Sequence, residues 1–382
     1  MIFTLPKPYP RPIQGASLYL TQFFRKNTLL LEDPDLEGIS LEQWNLLLGE
    51  ITQFITNNDI ETVIIDRTLN PTSLNNDPWA MAPTSMEMLD DLSGITTAYI
   101  LTGDFAYYYR PCPGIIFFPT FLWIIGAKLI NNFFNHKHIK YYYNTIYDID
   151  LKKKTKTLMC LNMNAVWHRI YLFSLLVEKS WFNNIGYSFY AKVGHQQKLN
   201  FQSRLNDVVI VQSLSQQERD LAQSYGYLLP IQISGDENAE QKRMWGNGST
   251  SIDSWIYNDY AINLVTETSL TDGILLTEKT CKPFMAYQIP IIVGPMGANQ
   301  FLEDIGLDMF SDYIPWKTWD GETDHKLKMR KIVKFLDQLL SSPTAEQDIL
   351  SAHQSFYARL IKNKEYFHSK ELGNILLAQI KS

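Results

Sequence analysis

The stretch Asn263-Leu-Val-Thr-Glu-Thr-Ser-Leu-Thr-Asp-Gly-Ile-Leu-Leu-Thr-Glu-Lys-Thr-Cys-Lys-Pro-Phe-Met-Ala-Tyr-Gln-Ile-Pro-Ile-Ile-Val-Gly-Pro295 reads as a strand, a polar loop, a helix start and a second strand. The strands are expected over Ala261–Val265 and Ile289–Val293, the second closed by Gly294-Pro295. Between them, Thr277-Glu278-Lys279-Thr280 sets a capping hydroxyl before an acid and a base, the chemistry of a helix N-terminus. Cys281, Phe284 and Met285 follow as an apolar face at helical spacing. Pro283 removes a backbone hydrogen bond, so the helix is expected to start near Thr280 or to bend there.

A helix N-terminus beside the carboxyl end of a parallel strand offers free N–H groups to an anion. Lys279 or Lys282 would add charge opposite a phosphate, and Glu267 and Glu278 suit the hydroxyls of a ribose or sugar. In these residues the chain resembles the α1,3-fucosyltransferases. Their donor segment runs Phe/Leu-x-Phe-Glu-Asn-Ser, a short gap, Thr-Glu-Lys, a helix and x-Pro-Val-x-x-Gly, matched here by Glu267, Thr277, Glu278, Lys279, Pro290 and Gly294. Thr268 stands where the family has asparagine, a departure that bears on the identity of the sugar more than on the architecture. The resemblance spans roughly residues 158–320. It implies a phosphate-binding cation in the strand-loop-helix that opens this half, after an asparagine-containing loop; Asn162 and Asn164 match the loop and Arg169 the cation. An ordinary βαβ unit with a capping threonine and solvated charges would carry the same pattern, so structural context decides.

The length of 382 residues exceeds what one core usually serves and points to two domains. Hydrophobic residues at 45% and aromatics at 13% are ample for a core and argue against long disorder. A net charge of −6 leaves no electrostatic footprint for nucleic acid. Cys112, Cys160 and Cys281 form no CxxC pair, which suggests neither a zinc site nor a disulfide framework and fits a reducing, cytoplasmic setting. The proline-broken start, Met1 to Pro12, lacks the apolar core of a signal peptide. The apolar run Gly114 to Ala127 contains Pro119 and falls short of the ~20 residues needed to span a bilayer. It reads as a buried segment, with Phe117, Phe118, Phe121 and Trp123 leaving a peripheral contact with the inner membrane face open. The basic run Lys152 to Lys156 reads first as a solvated linker.

Strands and helices alternate in two successive units. The first, residues 1–150, carries a helix from Trp44 to Ile55, the strand Thr62–Asp66, a helix from Pro83 to Leu92 and the strand Thr97–Asp104. The second, residues 151–325, starts with the strand Thr157–Leu161, a loop to Trp167 and an apolar helix from Arg169 to Lys179. Val208–Val211 reads as a further strand, and Ser215 to Tyr225 as a helix with the Ser-x-x-Glu signature of a capping box. Two amphipathic stretches, Lys326 to Leu340 and Ala345 to Phe367, are expected to pack back on the fold as residues 326–382. The expected class is therefore α/β, with two Rossmann-like doubly wound domains facing a cleft, the arrangement called GT-B.

Transfer of a sugar from a nucleotide donor needs charge neutralisation of the leaving diphosphate, hydrogen bonds that hold the sugar and a base for the acceptor hydroxyl. Arg169 and Lys279 are the expected phosphate cations, and His168 beside Arg169 either donates to phosphate or packs. With Arg169 and Lys279 available to share the phosphate charge, neither a metal nor another cofactor is expected. Acids at strand ends are the expected bases: Asp104 after Thr102-Gly103, and Asp66 ending the preceding strand. Asp236 and Glu237 in Ser234-Gly-Asp-Glu-Asn238 either act as a nucleophile in a retaining transfer or shape a turn. Trp316 and Trp319 either flank a ligand or belong to the core. The expected function is transfer from a nucleotide sugar, GDP-linked and fucosyl-type first, to a saccharide or glycolipid acceptor in surface polysaccharide or glycan synthesis. A retaining transferase using a CMP-linked acidic sugar such as Kdo, and a non-catalytic carbohydrate- or nucleotide-binding module, are the competing readings.

Overall fold

The computed structural model describes residues 2–4, 28–32, 41–67, 85–102, 115–117, 149–162, 165–189, 201–229, 254–268, 270 and 276–368. The chain divides into two units, one within Met1–Ala127 and one over Lys128–Leu270 and Thr277–His368, together with short segments that join the first. Each is an α/β unit with its own parallel sheet, as the alternation of elements predicts.

In the first unit, β1 (Ile2–Thr4), β2 (Thr28–Glu32), β3 (Thr62–Arg67), β4 (Thr97–Thr102) and β5 (Ile115–Phe117) lie in sequence order, every neighbouring pair parallel. Helices α1 (Leu41–Asn57) and α2 (Ser85–Ser93) connect β2 to β3 and β3 to β4. Alternate strand residues, Leu29 and Leu31, Val63 and Ile65, Ala98 and Ile100, meet Trp44, Ile51 and Leu92 of the helices in one buried core. Trp44 is fully buried, and its indole N–H is satisfied by Asp91 Oδ2 at 2.8 Å. Asp66 is the fifth residue of β3, in register with Glu32 and Leu101. Asp104 lies outside the described residues, as does all of the apolar run beyond Phe117.

The second unit opens with β6 (Lys156–Leu161), α3 (Trp167–Leu176) and β7 (Gly186–Ser188). The short helices α4 (Phe201–Leu205) and α5 (Val208–Ser213) lead to α6 (Gln216–Ser224). After α7 (Ser254–Tyr257) come β8 (Tyr260–Thr266), α8 (Glu278–Met285), β9 (Ile289–Val293) and α9 (Ala298–Asp304). Helices α10 (His325–Leu340), α11 (Ala345–Ser355) and α12 (Tyr357–His368) follow. Strand order is β7-β6-β8-β9, all parallel. Every residue of β8 and β9 is buried, as expected of parallel strands covered on both faces. Pro290, which has no N–H for a ladder, sits in β9, whose one partner among the described strands is β8. Helix α10 packs on α3, α11 on β6 and β8, and α12 on α8.

Three sequence expectations change. Val208–Val211 is helical: Asp207 caps α5 by accepting from Val209 N at 3.0 Å, and Val208, Val209 and Val211 are exposed while Ile210 is buried. The β-branched run had suggested a strand, but the cap and the solvent-facing valines override that propensity. Lys154 is no solvated linker residue; it is buried, and its ammonium donates to the carbonyls of Tyr257 at 2.5 Å and Ala286 at 2.9 Å. Both carbonyls lie at helix C-termini, where a cation is favoured. Of the two readings for Trp316 and Trp319, the core one holds, since they are 2% and 0% exposed. The stretch from Ala345 is two helices, broken at Phe356 between Phe310 and Tyr313. The capping box predicted at Ser215 and Glu218 is present in both directions.

Candidate functional site

The second sheet reverses direction at β6. The chain leaves β6 for β7 on one side, and β8 then lies on the other side. In open α/β sheets the crevice outside the carboxyl ends of the strands at such a switch point is where ligands bind. The residues on this edge are Asn162 after β6, Thr266 and Glu267 at the end of β8, Gly294 and Pro295 after β9, and the start of α8.

Hydrogen bonds join these strand ends. Asn162 N donates to Ser188 O at 3.0 Å, and Glu267 N to Val293 O at 3.0 Å, extending the ladders one residue past the strands. The Thr266 hydroxyl donates to Asn162 Oδ1 across the switch point, and Asn162 Nδ2 lies 3.2 Å from Cys160 Sγ. From the first turn of α3, His168 Nε2 donates to Glu267 O at 2.9 Å, and Arg169 Nη2 to Thr266 O at 3.0 Å and Glu267 O at 3.3 Å. His168 and Arg169 are 2% and 3% exposed, with His168 Nε2 and Arg169 Nη2 turned onto the end of β8. Burial, reinforced by the adjacent guanidinium, lowers the His168 pKa to about 3 against the opposing pull of the Glu267 carbonyl.

Glu267 organises the helix start. Its side chain is fully buried, and its carboxylate accepts from Thr277 N at 3.0 Å, the Thr277 hydroxyl at 2.6 Å, the Thr280 hydroxyl and Thr268 N at 3.2 Å. Thr277 is the N-cap, placing the helix start at Glu278, ahead of the position expected near Thr280. Pro283 sits inside α8 without preventing it, and the helix stops at Met285, before the left-handed Tyr287. The Lys279 ammonium lies 3.2 Å from the Thr268 hydroxyl and 3.3 Å from that of Thr277, half-buried at the helix mouth. Lys282 is buried one turn further along, and Glu278 holds the first helical position.

The structure thus brings Asn162, His168, Arg169, Glu267, Thr277, Glu278 and Lys279 to one edge of one sheet. Asn164 and Asp236 lie outside the described residues, and Asp66 belongs to the other unit. Three participants escape a sequence reading. Thr266 and Thr280 are hydroxyl partners of the site, and Lys328 of α10, 1% exposed, donates to Gly294 O at 3.2 Å and Pro295 O at 3.3 Å. Lys328 carried a signal, because it falls on the apolar stripe of α10 with Met329, Ile332 and Leu336, where a cation needs a partner.

No protein-family model matches the chain, and no curated protein matches it in sequence. Among solved structures it is similar to the α,α-trehalose 6-phosphate synthase of Burkholderia multivorans, at 11% identity over 96% of this chain and 73% of that one, with a TM-score of 0.39. It is also similar to a glycosyltransferase from Rickettsia africae ESF-5, at 12% identity over 95% of this chain and 93% of that one, again with a TM-score of 0.39. At this distance the assignment of function rests on the residues themselves.

The electrostatic character of the edge is cationic. Arg169, Lys279 and Lys328 lie at this edge with one completely buried carboxylate, whose oxygens are taken up by threonines and backbone. His325, the first residue of α10, adds a half-buried imidazole 6.3 Å from the Trp167 ring. Such an edge suits a ligand with a compact negative charge and several hydroxyls.

Proposed function

We propose that this chain is a glycosyltransferase of the GT-B type, which binds a nucleotide-sugar donor at the carboxyl edge of its second sheet and passes the sugar to a saccharide or glycolipid acceptor. The observation that carries this reading is the reversal of strand order between β6 and β8, beside which a helix start fixed by Glu267 stands among cations. A leaving diphosphate needs charge neutralisation that is already in place when the bond breaks. Lys279 is the cation placed to supply it, with its ammonium beside the hydroxyls of Thr268 and Thr277 and half open to solvent. Arg169 and Lys328, turned onto strand-end carbonyls, contribute a positive field and hold the floor of the crevice.

The donor is expected to be GDP-linked and fucosyl-type on the strength of the Glu267, Thr277-Glu278-Lys279, Pro290 and Gly294 pattern. The acceptor base is expected from Asp104, Asp66 or Asp236, and the pathway is surface polysaccharide or glycan synthesis. The setting proposed is the cytoplasm, with peripheral contact at the inner membrane face; no helix among the described residues is long and apolar enough to cross a membrane. The test is transfer from radiolabelled GDP-fucose, and from other nucleotide sugars in parallel, to lipid-linked and free oligosaccharides. Lys279→Ala should lose at least tenfold in kcat/KM, about 1.4 kcal/mol of transition-state stabilisation. Full activity in that variant would remove Lys279 from the donor site.

A further inference from the structure

His168 stands at the second position of α3, beside Arg169 at the carboxyl end of β8. Its Nε2 is 2.9 Å from the carbonyl oxygen of Glu267. A backbone carbonyl only accepts, so this nitrogen carries the ring proton. The ring is 2% exposed and adjoins the Arg169 guanidinium and His325, surroundings that disfavour a second proton. A neutral imidazole protonated at Nε2 presents a lone pair at Nδ1, on the far side of the ring from Glu267. That atom has no hydrogen-bond partner among the described residues. The neighbouring Arg169 guanidinium offers only donors.

We propose that His168 is a specificity-determining residue which reads the bound ligand as a hydrogen-bond acceptor, taking a hydroxyl or amide N–H of the nucleotide sugar at Nδ1 and rejecting a phosphate oxygen there. The inference rests on the donor-site reading above and makes that reading more specific. The cations of the edge attract the diphosphate, whereas an acceptor lone pair repels it. His168 therefore fixes which part of the donor lies against α3: a hydroxyl-bearing ribose or sugar, or the amide edge of a base. The sequence expectation that His168 donates to phosphate would need a proton on Nδ1, where the Arg169 charge and the burial oppose it.

Histidine-selective 15N NMR on the full chain, followed from pH 5 to 8, should show His168 neutral throughout with Nε2 protonated; an imidazolium signal or a proton on Nδ1 overturns the proposal. The variant His168→Gln separates the two nitrogens, because its amide N–H can keep the bond to the Glu267 carbonyl while its only acceptor, Oε1, no longer sits at the Nδ1 position. Loss of that one hydrogen bond should raise the Kd for GDP-fucose about tenfold. The thermal midpoint and the Kd for pyrophosphate should remain as in the unmodified protein. Equal weakening of both probes, or of neither, would contradict the acceptor role. If pyrophosphate binds but no nucleotide sugar does, the donor reading fails and the acceptor role falls with it, and a tautomer measured as expected would then describe packing alone.

Discussion

Replacing Glu267 with glutamine tests the feature on which the crevice depends. The carboxylate receives two backbone donors, Thr277 N on Oε1 and Thr268 N on Oε2, and two hydroxyls, those of Thr280 and Thr277. Glutamine changes one oxygen into an NH2 group, so whichever way the amide sits, one backbone N–H faces a donor. The less costly orientation turns the amide nitrogen toward Thr268, which is exposed and can bond water instead. The Thr277 hydroxyl must then accept from the amide, although it already accepts from Lys279 N at 3.4 Å and the Lys279 ammonium at 3.3 Å. Two charge-assisted bonds become ordinary ones and one contact becomes repulsive, for a total of about 2–4 kcal/mol. For a unit of this size that corresponds to a fall in midpoint of roughly 5–12 °C. Differential scanning calorimetry measures it, with Gly321→Ala as a control, since a methyl there would meet nothing within 4 Å. Donor affinity should fall with the midpoint, because the helix start loses its anchor. A Glu267→Gln protein melting within about 1 °C of the parent would refute the reasoning, because surface-like changes stay within ~0.5 kcal/mol.

Two further outcomes are expected. Gly186→Ala would set a methyl 2.4 Å from Cζ of the buried Tyr260 ring, and overpacking of this kind costs about 1–3 kcal/mol, read as a lower denaturant midpoint with an unchanged slope. Lys154 has its pKa lowered to about 7, chiefly by burial, against the opposing attraction of Asp259 and Asp150. Between pH 7 and the unfolded value of 10.5 the unfolded chain therefore holds more protons, so stability from this group is complete above that window and is lost as pH falls toward 7. The difference in unfolding free energy between the parent and Lys154→Met should change by up to about 1.4 kcal/mol per pH unit in that window, and parallel pH curves for the two proteins would contradict it.

The sequence discloses those elements whose local chemistry agrees with their burial. The strands at Ala261 and Ile289 are continuous apolar runs because both faces are covered, and Ser215 and Glu218 form their capping box from local contacts alone. The donor-like pattern was legible for the same reason: Thr277 caps the helix that follows it in sequence. What sequence cannot resolve is the partner of a polar side chain. Glu267 reads as a ligand-facing acid because the threonines that occupy it, ten and thirteen residues away, look equally available. Lys154 reads as one member of a solvated run until the carbonyls of Tyr257 and Ala286, far along the chain, are brought to it by folding. The Val208 run fails in the opposite sense, since its β-branched residues face solvent and a single aspartate cap decides the helix.

The measurement that bears most directly on the central claim is a thermal-shift comparison of the parent and Lys279→Ala with GDP, UDP, CMP, dTDP and ADP and their sugars. Ligand at 100 times its dissociation constant adds about 2.7 kcal/mol to the folded state, enough to move the midpoint clearly. The account predicts a selective shift of the parent with one nucleotide family, GDP first, that is strongly reduced in Lys279→Ala; a cooperative melt that no nucleotide moves would contradict it.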